Sequence, residues 1–285
     1  MEAGTLNPDE TFHSKGYYEL GRGRPPIGDL AGPGDFKFRR ALIKSSNSYF
    51  IHEGLKLGVD RIVEMGRRFH LGEHTGILPS QDAAGVLPTR QWREEKLGGA
   101  WFEGNTANLC IGQGEIAVTP LQVAVLTAAV ASGGKVFWPR LVARIEPQDP
   151  FSDEQPFLFP AGRLRDQLNV SKRSLDVVRE AMLADVEDAE GTGTKAFVPG
   201  MRICAKTGTA QIKQGRKIVG HTTWFTSFAP YENPRYVVVV MMEIDPGYNA
   251  TGGGTCAPVA HQVYLALQKR EQQLKPDNPE ILARR

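Results

Sequence analysis

The chain lacks the features that several common protein classes require. It has three widely spaced cysteines, Cys110, Cys204 and Cys256, and no Cys-x-x-Cys pair, which argues against a zinc site or a disulfide framework. No apolar run is long enough to span a bilayer, and the N-terminus has no signal-peptide pattern. With 34 basic and 32 acidic residues, the net charge of +2 provides no electrostatic footprint for nucleic acid. We therefore expect buried free thiols, no metal, no cofactor and no nucleic-acid partner.

Glycine and proline are abundant, at 31 and 19 residues, and predict a chain rich in ordered loops. They are frequent in residues 1–36, which we predict to be an irregular lead-in. Residues 38–57 have helical composition but are interrupted at 45–48 by four turn-formers, whose side chains compete for backbone hydrogen bonds. This favours two helices with a break between them. A third helix is predicted over 59–69, and residues 72–116 are predicted to be loop-rich.

Two further helices have clear start signals. Thr119 can act as an N-cap with Pro120 at the first helical position, and the apolar residues through 131 predict a buried helix. Ser171 can cap a second helix whose apolar positions recur with helical spacing.

The last third of the chain changes its pattern. Residues 203–211, 224–229 and 236–243 are rich in β-branched and aromatic residues between turn signals, which predicts a sheet of mainly three antiparallel strands. A closing helix is predicted over 257–267, followed by a polar tail over 269–285. Helices followed by strands and a final helix indicate an α+β fold, and no linker divides residues 1–285 into two domains.

The most informative segment is Lys206-Thr207-Gly208-Thr209, which follows a short apolar stretch. Strand alternation places Lys206 and Gly208 on one face and the two threonines on the other. A cation, two hydroxyls and a glycine, against which a ligand backbone can lie, predict an edge that recognises an anion. Lys-Thr-Gly is a common tripeptide, so the inference becomes specific only when other parts of a site occur elsewhere.

Such parts occur in order along the chain. Ser45-x-Asn47 and Lys206-Thr-Gly208 match two of the three motifs of penicillin-binding proteins and serine β-lactamases. Three surrounding segments also match. They are residues 110–115 together with 119–122, residues 190–194, and residues 221–230. On these residues, the chain resembles the class B penicillin-binding proteins of the elongation type, D,D-transpeptidases that cross-link bacterial peptidoglycan. The resemblance extends over about residues 1–268.

The resemblance implies an acyl-transfer site on a serine-transpeptidase-like fold. Ser45 would relay a proton to the leaving nitrogen, and Asn47 would orient the substrate amide and the catalytic lysine. Lys206 would supply positive potential. Thr207 and Thr209 would hydrogen-bond the terminal carboxylate of the substrate beside Gly208, and the Thr209 N–H would be one oxyanion-hole donor.

The chain departs from the family pattern at the nucleophile. The family's Ser-x-x-Lys lies before the segment that matches residues 1–4, so we expect a partial transpeptidase domain that lacks the nucleophile and is inactive alone. One match, Ser132-Gly-Gly-Lys135, occurs where a helix is predicted to end, whereas the nucleophile needs a helix N-terminus. We interpret it as a chance match.

The resemblance also implies partners and a location. The substrate would be the D-Ala-D-Ala stem peptide, with β-lactams as inhibitors and a membrane glycosyltransferase as a possible partner in the full-length family. The expected location is the periplasmic face of the bacterial inner membrane. Two alternatives remain open, namely a non-catalytic module that binds stem peptide or cell-wall synthesis partners, and a β-lactamase or β-lactam sensor. Covalent labelling of the chain by a β-lactam would contradict the expectation that the nucleophile is missing.

Overall fold

The computed structural model describes residues 1–21, 23–77, 82–149, 151, 153–215, 217–248 and 250–274. The chain begins with an antiparallel hairpin of β1 (Phe12–Tyr18) and β2 (Ile27–Phe36). The expectation of an irregular lead-in over 1–36 is therefore wrong. Gly16, at φ +84°, lies where the register shifts between Lys15 and Tyr17, so this glycine serves a bulge within the hairpin.

Three helices follow, with the break that the sequence predicts. They are α1 (Phe38–Ile43), α2 (Asn47–Leu57) and α3 (Val59–Arg68). The Ser46 hydroxyl caps α2 by accepting the Tyr49 N–H at 3.3 Å, as expected of a turn-former before an apolar run. The predicted α1–α2 break and α3 are confirmed.

The region predicted to be loop-rich contains two short helices, α4 (Arg90–Leu97) and α5 (Glu103–Cys110). The residues of α4 are exposed or half-buried, so the helix has no apolar stripe for a periodicity argument to detect. Thr89 caps it by accepting the Trp92 N–H at 2.9 Å.

Helix α6 (Pro120–Ala131) begins as predicted, with a capping box between Thr119 and Gln122, but it is only partly buried, at Gln122, Thr127 and residues 129–131. Four short strands come next and form two antiparallel pairs, β3–β6 and β4–β5. Their bounds are β3 (Lys135–Phe137), β4 (Arg144–Ile145), β5 (Phe157–Leu158) and β6 (Leu164–Gln167). The helix capped by Ser171 is α7 (Lys172–Glu187).

The main sheet has three antiparallel strands, β7 (Cys204–Gln214), β8 (Lys217–Ala229) and β9 (Tyr236–Ile244), in that order. The α+β class and the three-stranded sheet are confirmed. A single π-helical turn over 252–256 leads into α8 (Ala257–Gln273). The helix therefore continues beyond 267, and the polar tail expected over 269–285 begins within it, while 275–285 lie outside the described residues.

The sheet separates two parts of the core. Phe228 packs with α1, α2 and α7 residues such as Tyr49 and Met182. Phe225, three residues earlier on β8, packs on the opposite face with Ala260 and Tyr264 of α8. Within the described ranges, no helix is long and apolar enough to cross a membrane. Because β7 lies at the edge of this sheet, its Lys206–Thr209 segment can face the α1–α2 junction.

The three cysteines are expected to resist thiol reagents in the folded protein. Cys204 and Cys256 are 0% exposed, and burial raises the pKa of Cys110 to about 11. At pH 8 only about one Cys110 thiol in a thousand would be the reactive thiolate. Ellman's reagent should therefore report slow reaction of the native chain and rapid reaction of all three thiols in guanidinium. A native thiol that reacts as fast as glutathione would contradict this expectation.

Candidate active site

The structure brings Ser45 and Lys206 together, although they are 161 residues apart in the chain. The Lys206 ammonium on β7 donates a short hydrogen bond to the Ser45 hydroxyl at the α1–α2 junction. It also donates to its neighbour's carbonyl, Thr207 O, at 2.7 Å. The two motif segments therefore form one site between an edge strand and a helix junction.

The local conformation of Ser45 directs its side chain to this position. Its φ of +52° is left-handed, an uncommon conformation for a residue with a Cβ. The Ser45 and Ser46 N–H groups donate to Leu42 O and Ala41 O and close the last turn of α1. Such a backbone costs about 1 kcal/mol and persists only where surrounding contacts hold it.

Asp29 of β2 holds the segment that follows Ser45. Its carboxylate accepts the Ser46 hydroxyl at 2.6 Å and the N–H groups of Asn47 and Ser48, both at 3.0 Å. Asp29 is 8% exposed, and its negative charge lies at the positive N-terminal end of α2. Sequence reasoning missed this residue, because a single aspartate in a glycine-rich hairpin has no spacing signal.

Asn47 lies beside Ser45, with its amide directed to the hairpin. The side chain donates to the Gly28 carbonyl at 2.9 Å, which ties α2 to β2. Its expected role in orienting substrate and lysine stays a prediction.

The two threonines of the strand lie on the face opposite Lys206, as alternation predicts. The Thr207 hydroxyl is 2.6 Å from the Thr192 hydroxyl, and Thr209 Oγ1 accepts the Gly252 N–H at 3.3 Å. Between them, Gly208 lies against the backbone of the 252–256 turn, where a Cβ on Gly252 would be 2.7 Å from Gly208 O. The turn therefore supports this strand from one face.

Lys206 lies in an electrostatic environment that sequence did not predict. Burial of the ammonium lowers the pKa of Lys206, and the negative charge of Asp185 on α7 opposes this shift. Burial also raises the pKa of the Asp185 carboxyl, against the effect of Lys206. Each charge therefore stabilises the other in a poorly solvated site.

Ser132 lies away from any helix start. It is the C-cap of α6, and its hydroxyl donates to Lys135 O at 3.0 Å. The interpretation of Ser132-Gly-Gly-Lys135 as a chance match agrees with this position, because Lys135 is on β3 rather than one helical turn later.

Comparisons with known proteins identify the family of the chain. A profile of the penicillin binding protein transpeptidase domain matches residues 1–265. Peptidoglycan D,D-transpeptidase MrdA of Haemophilus influenzae is 33% identical over 294 residues, which cover 96% of this chain and 43% of the relative. The crystal structure of Pseudomonas aeruginosa PBP2 in complex with WCK 5153 has a TM-score of 0.74 at 31% identity, covering 93% of this chain and 55% of that chain.

A further structural relative is penicillin binding protein 3 from Mycobacterium tuberculosis, complexed with aztreonam. Its TM-score is 0.77 at 30% identity, with 95% of this chain and 59% of that chain covered. The chain therefore belongs to the penicillin-binding protein transpeptidase domain family. Within the family it is of the class B, elongation type, with MrdA and PBP2 among its relatives. It spans less than half of the MrdA relative, 43% of its length.

Proposed function

We propose that this chain forms the lysine and carboxylate-binding side of a peptidoglycan D,D-transpeptidase site. The observation that carries the proposal is the Lys206–Ser45 hydrogen bond beside the Lys206–Thr209 edge. The D-Ala-D-Ala end of a stem peptide would lie along this edge, with its carboxylate near Thr207 and Thr209. The name of the MrdA relative, a peptidoglycan D,D-transpeptidase, supports the same substrate class.

The hydrogen-bond direction at Ser45 suits proton transfer to a leaving amine. Lys206 is an ammonium donor, so the Ser45 oxygen accepts and its own proton remains free to be donated. In acyl transfer, a serine attacks the penultimate D-Ala carbonyl, and the departing D-Ala nitrogen must gain a proton. Ser45 would relay it: its hydroxyl proton passes to the nitrogen, and the proton released by the attacking serine replaces it, while the positive potential of Lys206 favours the donation.

The nucleophile is the part of the reaction that this chain does not supply. Its single Ser-x-x-Lys match begins at Ser132, whose hydroxyl is directed to the Ala129 and Lys135 carbonyls. We therefore expect the 285-residue chain to form no acyl-enzyme. Fluorescent penicillin should leave no covalent band after denaturing electrophoresis, and a stable adduct would refute this part of the proposal.

Reversible binding tests the carboxylate edge directly. An acetylated peptide ending in D-Ala-D-Ala should bind the chain in calorimetry, and its C-terminal amide should bind more weakly because it lacks the anion. Lys206→Ala should weaken binding of the peptide with the free carboxylate about tenfold or more, because a charged hydrogen-bond donor at the site is lost. Lys213→Ala, on an exposed part of the same strand, is the matched control and should bind normally. Equal affinity for acid and amide would overturn the proposal.

Location and partners follow from the proposed function. A chain that acts on peptidoglycan would work at the periplasmic face of the inner membrane, beside a glycosyltransferase that makes the glycan strands. The relative complexed with aztreonam supports β-lactams as ligands of the corresponding complete site.

A further inference from the structure

Asp185 is a buried carboxylate linked to the carboxylate-binding edge. It lies on α7, which packs against β7, and its exposed fraction is 0%. Its Oδ1 atom accepts two hydrogen bonds from Thr192, from N–H at 3.0 Å and from the hydroxyl at 2.7 Å. Its Oδ2 atom is buried and has no hydrogen-bond partner among the described residues. Burial of this carboxyl favours its neutral form and raises its pKa, while the hydrogen bonds from Thr192 and the Gly193 N–H favour the charged form and do not offset burial.

The hydroxyl of Thr192 connects this carboxyl to Thr207. Thr192 Oγ1 is 2.7 Å from Asp185 Oδ1 and 2.6 Å from Thr207 Oγ1, and each contact needs one proton. A hydroxyl has a single proton to donate, so Thr192 can be the donor in only one of the two contacts and must accept in the other. The state of Asp185 at one end sets which contact Thr192 donates.

When Asp185 is ionised it can only accept. Thr192 then donates to Asp185, and Thr207 must donate to Thr192. The Thr207 oxygen then offers a ligand only lone pairs and no proton. This disfavours an approaching carboxylate, whose oxygens also carry lone pairs.

When Asp185 is protonated, the direction can reverse. A proton on Oδ1 has Thr192 Oγ1 as its acceptor, whereas a proton on Oδ2 would have no partner among the described residues. Thr192 then donates to Thr207, and the Thr207 proton is free for a carboxylate. The remaining unpaired atom is a neutral carbonyl oxygen, which costs less than an unpaired carboxylate oxygen.

We propose that Asp185 is a positioning residue that acts through Thr192, and that its proton decides whether Thr207 donates to the terminal carboxylate of the bound peptide. The proposal rests on the proposed function, because it needs an anionic ligand at the Lys206–Thr209 edge. Burial raises the pKa of Asp185, so the donating arrangement persists above the pH at which an exposed aspartate ionises.

Among the described residues, Lys206 is the charged group that affects the pKa of Asp185. Lys206 on β7 lowers the pKa of Asp185 and opposes burial. The basic side chains on the neighbouring elements pair with other acids. These pairs are Arg39–Asp188 and Arg40–Glu190 from α1, Lys44–Glu190 just after α1, and Arg202–Glu187 beside β7. Lys195, after Thr192, is exposed.

The binding test compares pH profiles of three proteins. In the wild-type chain, affinity for an acetylated peptide ending in D-Ala-D-Ala should fall about tenfold as Asp185 ionises, since a charged hydrogen bond is lost. Thr192→Val removes the hydroxyl that links Asp185 to Thr207 and keeps both Asp185 and Lys206. The part of the pH dependence that comes from Asp185 should therefore vanish. Thr192→Ser retains the hydroxyl and should restore it. Thr192 is exposed, so both variants should fold.

Lys206 titrates in all three proteins, so its contribution is common and the difference between profiles reports the Thr192 hydroxyl. Parallel profiles for wild type and Thr192→Val would overturn the proposal. A Thr192→Ser profile that follows Thr192→Val would overturn it too, because the side chain's volume rather than its hydroxyl would then matter.

A measurement without ligand separates this proposal from the proposed function. In ¹³C NMR, the Thr207 side-chain signal should follow the titration of the Asp185 carboxyl in wild type and Thr192→Ser, but not in Thr192→Val. A chain that binds no peptide yet shows this coupling would refute the proposed substrate and keep the Asp185–Thr192–Thr207 connection. A Thr207 signal that ignores the Asp185 titration in wild type would overturn the connection itself.

Discussion

Asp29→Ala is expected to lower the free energy of unfolding by about 3 kcal/mol or more. The carboxylate accepts hydrogen bonds from Ser46, Asn47, Ser48 and Ala31, and its removal leaves several of these donors without a partner in a buried region. The negative charge at the start of α2 is lost as well. Urea denaturation followed by circular dichroism would measure the change as a lower midpoint.

The matched control is Asp35→Ala in the same hairpin. Asp35 pairs with His13 at 2.7 Å, but the two side chains are 70% and 74% exposed, so the loss should stay below about 1 kcal/mol. Asp29→Asn should recover only part of the stability, because its amide would place a donor against an N–H or a hydroxyl that also donates. Equal effects for Asp29→Ala and Asp35→Ala would contradict the role of Asp29.

Gly252→Ala is expected to destabilise the protein by about 3 kcal/mol and to weaken peptide binding. An added Cβ would lie 2.1 Å from Trp224 O and 2.7 Å from Gly208 O, two backbone atoms on paired strands. Neither oxygen can move without disturbing the β7–β8 pairing. The turn would have to shift away from β7, and Thr209 would lose the Gly252 N–H. Thermal unfolding and calorimetric peptide titration would report the two effects.

Gly254→Ala provides the comparison within the same turn. A Cβ there would first meet the Thr251 hydroxyl oxygen at 3.0 Å, a side-chain atom that can adjust. Its cost should be below about 1 kcal/mol, and peptide binding should be retained. A Gly252→Ala protein as stable as Gly254→Ala would show that the turn does not press on the Lys206–Thr209 segment.

Local signals in the sequence predicted much of the fold. The Thr119-Pro120 start, the Ser171 cap and the β-branched runs of the main sheet each depend on neighbouring residues, and such patterns can be detected without a structure. The hairpin over 12–36 was missed because Gly28, Gly32, Pro33 and Gly34, residues that usually indicate a turn, lie within β2. Helix α4 was missed because its exposed polar residues have no apolar period.

The residues of the candidate site also divide into those that the sequence predicted and those that only the structure revealed. Lys206 and Ser45 were predicted because each stands in a short motif of the family that the chain resembles, and the structure brings the two together. Asp29 and Asp185 act through contacts across the fold, and neither has a neighbour that marks it.

By itself, the sequence determined the class of the fold, the family and the strand that carries Lys206, Thr207 and Thr209. Only the tertiary structure decided which acids hold these groups, because a hydrogen bond between α7 and a residue beside β7 depends on packing rather than on spacing. It also decided the donor or acceptor role open to Thr207. That role depends on the proton of a buried carboxyl and on a hydroxyl 2.6 Å away, which the order of residues does not encode.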